Sequence, residues 1–115
     1  MANTFKVITK AGVTSADVIY TVAGSTTTVI LGLIIGNTTS SSINATVTLG
    51  TDTTNRSGAN NETNQDVELL TTTPIPGNST LELLAGNKVV METTDTLSVT
   101  GSGAVDVALS VMEIT

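Results

Sequence analysis

Residues 43–50 read INATVTLG. Ile43, Ala45, Val47 and Leu49 are apolar, and Asn44, Thr46 and Thr48 between them are polar. Successive side chains of a strand point to opposite faces, so this alternation predicts an extended segment buried on one side. Leu97 and Val99 alternate with Thr96, Ser98 and Thr100 in the same way, and Val105, Val107, Leu109 and Val111 alternate with Asp106, Ala108 and Ser110. Met112, Glu113 and Ile114 then break phase. Either a bulge re-aims these residues, or Met112 and Ile114 face a second apolar surface such as a neighbouring subunit.

Outward from these combs lie FKVIT, DVIYTV, TTTVILGLII, DVELLTT, TLELL and KVVMET, each followed by turn formers such as Gly12, Gly24-Ser25, Gly36-Asn37 or Gly86-Asn87. No stretch repeats its apolar positions at the helical period, and about one residue in five is threonine, whose β-branched side chain prefers extended backbone. The expectation is an all-β chain of about eight or nine short strands in a two-sheet antiparallel sandwich, jelly-roll or immunoglobulin-like. Residues 1–115 form one domain. The polar stretch 50–65, GTDTTNRSGANNETNQ, has almost nothing to bury and is expected to be a mobile surface loop. Pro74-Ile75-Pro76-Gly77-Asn78-Ser79 is expected to reverse the chain into a three-strand meander over TLELLAGNKVVMETTDTLSV.

VILGLII at 29–35 has no alternation, so this strand is expected to be covered on both faces. It is also far shorter than the roughly 20 residues of a membrane span, and no membrane partner is expected.

Composition removes most chemistry. His 0 and Cys 0 leave no common metal ligand, thiol nucleophile or neutral-pH base. Lys+Arg 4 against Asp+Glu 10, a net charge of -6, repels phosphate backbones, so no nucleic-acid partner is expected. The carboxylates Asp17, Glu68, Glu82, Glu92, Asp95 and Asp106 fall on polar strand phases or in turns, and the chain lacks the aromatic platforms of a sugar-cleaving cleft. Asp52, Asn55, Asn60, Asn61, Glu62 and Asp66 offer oxygen ligands, but their spacing matches no calcium loop. Five Asn-x-Ser/Thr triplets, at Asn37, Asn44, Asn55, Asn61 and Asn78, follow from abundant Ser and Thr. The reading is therefore not an enzyme, with no catalytic residue, no metal and no cofactor.

The opening MANTF, the block DVIYTVAGSTTTVILGLIIGNTT and above all PIPGNSTLELLAGNKVVMETTDTLSVTGSGAVDVALSVMEI resemble small virion structural proteins of tailed bacteriophages, particularly those of marine cyanobacteria. The resemblance spans most of the chain except 50–65. It implies a β-sandwich subunit added in many copies to a particle, located in the virion and assembled in the host cytoplasm. The concrete expectation is a homo-oligomeric capsid decoration or cement protein, a trimer on the capsid exterior, with the major capsid protein or tail and neck proteins as partners. A neck, tail, collar or fibre-attachment subunit is the alternative within the class, and a carbohydrate-binding or adhesive surface module the alternative outside it. Candidate subunit contacts are Val29, Ile30, Leu31, Leu33, Ile34 and Ile35 of the unbroken run and Met112 and Ile114 of the phase-broken terminus. Lys6 and Lys10 are expected to guard the edge of the first strand.

Overall fold

The computed structural model describes residues 2–51, 66–84 and 86–115. These contain nine strands: β1 (Asn3–Val13), β2 (Asp17–Thr21), β3 (Thr27–Asn37), β4 (Ile43–Gly50), β5 (Asp66–Ile75), β6 (Thr80–Leu83), β7 (Val89–Met91), β8 (Thr96–Gly101) and β9 (Val105–Ile114). Every pairing is antiparallel and the pairs are nested. β4 pairs with β5, β3 with β6 and β7, β2 with β8, and β1 with β9.

The chain is thus one long hairpin rolled up so that successive pairs alternate between two sheets. The first sheet has the order β1-β9-β3-β6, with β7 also on β3; the second has the order β2-β8-β4-β5. This is a jelly-roll order, in which neighbouring strands of a sheet are mostly far apart in sequence. An immunoglobulin-like sandwich, which keeps consecutive strands side by side in one sheet, does not describe it.

The combs read from sequence form the core. Ala45, Val47, Leu97 and Val99 of the second sheet and Val105, Leu109 and Val111 of the first are fully buried and meet between the sheets. These seven aliphatic side chains, four of them valines, fill a thin sandwich without large rings. Every buried side-chain nitrogen and oxygen among the described residues has a hydrogen-bond partner.

Three local expectations change. β6 and β7 do not form a meander with β8: both lie along the same edge of β3, and β8 belongs to the other sheet. They are two pieces of one interrupted strand, separated where Leu84 (φ 69°) and Gly86 (φ 83°) take left-handed backbone. The unbroken run VILGLII does alternate, because a bulge between Ile30 and Gly32 inserts one residue. Ile30 faces the core, the extra residue shifts the phase, and Leu33 and Ile35 face the core again. Last, β9 keeps its phase to the end: no register shift interrupts it against β1 opposite residues 107–114, and Glu113 continues the inward series of Val107, Leu109 and Val111.

Gly50 closes β4 and Thr51 follows it, whereas 52–65, the greater part of the expected polar loop and nearly all of the calcium candidates, lie outside the described residues. No helix among the described residues is long and apolar enough to cross a membrane.

Candidate interaction face

The register places one apolar row straight across the outside of the first sheet. Phe5 of β1 stands opposite Met112 of β9, Met112 opposite Val29 of β3, and Val29 opposite Val90 of β7. The next residues along these strands, Val111, Ile30 and Met91, are fully buried, so the row itself points away from the core. Phe5 is 70% exposed and Val90 55%, with Met112 and Val29 half-buried between them.

Parallel rows extend the surface. On one side lie Asn3, Ile114 and Thr27; on the other lie Val7, Ser110 and Gly32, then Thr9, Ala108 and Ile34. Val7 is 60% exposed and Ile34 45%. None of these residues is charged. The acids of this face are Glu82, which ends the Ile34 row at the β6 edge, and Asp106, opposite Gly36 in the next row. Isolated exposed apolar residues are ordinary, but a contiguous apolar patch spread over four strands is the signature of a contact surface.

Lys6 and Lys10 of β1 and Glu113 of β9 are turned the other way. Lys6 stands opposite the inward Val111 and reaches Glu113 at 3.0 Å. Glu113 also accepts a hydrogen bond from the Tyr20 hydroxyl at 2.5 Å. A phenol has one hydrogen, so the buried Thr28 hydroxyl donates in turn to the Tyr20 oxygen at 2.7 Å. Burial first, and then the bond to Glu113, push the Tyr20 hydroxyl up to about 12. The Tyr20 bond first, and Lys6 second, hold the Glu113 carboxyl below its ordinary value. Because Glu113 is drawn inward by this cluster, its neighbours Met112 and Ile114 are left outward. Lys10 lies 3.6 Å from Asp17 of β2, so both β1 lysines clamp the sheet edge to other elements.

Where side chains on this face become small, a depression opens. Thr9 and Ala11 of β1, Ile34 and Gly36 of β3, and Asp106 and Ala108 of β9 line a cavity of about 370 Å³. A bulge between Lys10 and Val13 shapes its rim: Gly12 takes φ 67° and donates its N–H to Asp106 Oδ1 at 3.0 Å. Among the described residues no three His, Cys, Asp or Glu side chains converge as a metal site would require.

Of the contact residues expected from sequence, Val29, Ile34, Met112 and Ile114 lie on this face, and Leu31, half-buried, is at its bulge. Ile30, Leu33 and Ile35 are corrected: they are fully buried in the protomer's own core and offer nothing to a neighbour. Phe5, Val7 and Val90 were missing from that set although they alternate with inward residues just as Met112 does. The signal was present in Phe5-Lys6-Val7, but it has meaning only once the inward side is known to carry the lysine.

No protein-family model and no curated protein matches the sequence. Two solved structures are similar. One is a chain of Bacillus endospore appendages, described as disulfide-linked pili, at 13% identity and TM-score 0.48 over 99% of this chain and 87% of that one. The other is a chain of the icosahedral T13 IBDV viral particle, at 10% identity and TM-score 0.27 over 96% of this chain and 35% of that one. At these scores neither likeness carries weight for function, and this chain, with Cys 0, has no thiol for a disulfide link.

Proposed function

We propose that the protein is a non-enzymatic structural subunit of a bacteriophage virion, a decoration or cement protein of the capsid exterior. The observation that carries this reading is the uncharged row Phe5–Met112–Val29–Val90, four strands wide and exposed on a chain of net charge -6. A large contiguous apolar face on an otherwise acidic surface is kept where a partner covers it. The sequence blocks that resemble phage virion proteins supply the class of partner, and the absence of His and Cys is in keeping with a role without turnover.

Mass spectrometry of purified virions tests the reading. The chain is expected in a fixed ratio to the major capsid protein and is expected to survive washing that removes loosely held proteins. Its absence from the particle, or a turnover activity in the purified polypeptide, would overturn the proposal.

A further inference from the structure

We propose that the outer face of the first sheet docks on the same face of a second copy, across a two-fold axis that runs perpendicular to the strands at the level of Val7 and Ser110. The inference rests on the reading of this face as an assembly surface and adds its partner. A two-fold contact requires a patch that complements itself when the strand direction is reversed. Rotation about the Val7–Ser110 row exchanges residues equally far on either side of it. Phe5 exchanges with Thr9, and Met112 with Ala108.

Phe5 and Met112 therefore land on the smaller Thr9 and Ala108, Val29 meets Ile34, and Val90 and Ile114 come over Glu82 and Asp106 at the edge and end of the face. Phe5 of one copy comes over the depression of about 370 Å³ that Thr9, Ala11, Ile34, Gly36, Asp106 and Ala108 line in the other. An aromatic ring is well within that space, since an apolar cavity of about 150 Å³ already holds benzene. Both lysines of β1 are engaged, by Glu113 and Asp17, and Asp106, the acid beside the depression, is held by the Gly12 N–H, so the charge nearest the contact keeps a partner as water is displaced.

The area is sufficient. β1 has 11 residues and the sheet is four strand positions wide. Strand spacing and rise give a patch on the order of 700 Å² per copy, close to the roughly 800 Å² per partner of a standard stable interface. The copies carry like charge, so added salt screens their repulsion and tightens the dimer.

Sedimentation of the purified protein over a concentration series, at low and high salt, is the test. The wild type is expected to dimerise, more tightly at high salt, and Phe5→Glu and Val7→Lys are each expected to weaken the dimer at least about tenfold. Both positions are exposed, and unchanged urea midpoints at monomeric concentrations confirm that the variants fold. A short bis-maleimide is expected to cross-link Ser110→Cys copies, which meet at the axis. It is not expected to link Ile114→Cys copies, which lie about 26 Å apart along the strands. A dimer that both charge variants leave intact overturns the proposal. A wild type that stays monomeric at the highest attainable concentration also overturns it. In that case virion binding lost on Phe5→Glu would leave the assembly reading standing, and virion binding unaffected by Phe5→Glu would remove that reading too.

Discussion

The Tyr20 hydroxyl donates to Glu113 Oε2 across the gap between the two sheets, joining β2 to β9. Thr28 completes the phenol's hydrogen bonding, and Lys6 neutralises the carboxylate from the edge strand. Tyr20→Phe leaves Thr28, itself fully buried, without its phenol acceptor and Glu113 with Lys6 as its remaining donor. The expected loss is about 1–3 kcal/mol in urea unfolding. A double-mutant cycle with Glu113→Ala, which removes the acceptor, should return a positive coupling energy, and strict additivity of the two substitutions would show that the bond contributes nothing.

The same pair sets how stability depends on pH. Glu113 is 15% exposed and its folded-state pKa is lowered, so its contribution is present above its ordinary value of 4.5 and is lost as pH falls through the lower folded value. Tyr20 is raised from 10 to about 12, so its contribution is whole below pH 10 and is lost between about 10 and 12. Unfolding midpoints should therefore fall at both ends of the pH range. Tyr20→Phe should flatten the alkaline limb, and an unchanged limb in that variant would assign the alkaline loss to other groups.

Asn37, the first residue of an Asn-x-Thr triplet, is a buried knot. The two hydrogens of its side-chain amide are shared among the carbonyls of Ser41, Ile75 and, at the longer 3.2 Å, Pro76, and its oxygen accepts from the backbone N–H and hydroxyl of Thr39. These bonds tie the end of β3 to the turn before β4 and to the end of β5. Asn37→Ala should cost at least about 2–4 kcal/mol, because it strands several partners at once. Asn37→Asp should be nearly as damaging, since a carboxylate cannot donate to the three carbonyls.

The bulge in β3 makes adjacent residues respond differently. Leu33→Ala removes a fully buried side chain and should cost about 2–5 kcal/mol, whereas Ile34→Ala, 45% exposed on the outer face, should cost under about 1 kcal/mol in the monomer. Equal losses measured by chemical denaturation would mean that the run is covered on both faces within the protomer.

That run marks how far the sequence could be read. The combs at 43–49 and 105–111 announce one-sided burial, and the strands they predict are all present. The order of strands was not legible, because β1 meets β9 and β2 meets β8 across nearly the whole chain, and no local pattern encodes such pairings. VILGLII concealed its alternation behind one inserted residue, and β6 and β7 read as separate strands because their interruption contains ordinary turn formers. At the site, Met112 and Ile114 were recognisable as outward because Glu113 broke an apolar series. The inward destination of that charge became visible only with Tyr20 and Lys6 around it.

The central claim is that the outer face of the β1-β9-β3 sheet is covered when the protein does its work. A particle reconstruction at side-chain resolution tests it most directly. The account predicts protein density, from another copy or from the shell, packed on Phe5, Met112 and Val29. A particle in which this chain is present, with these three residues facing open solvent, would contradict it.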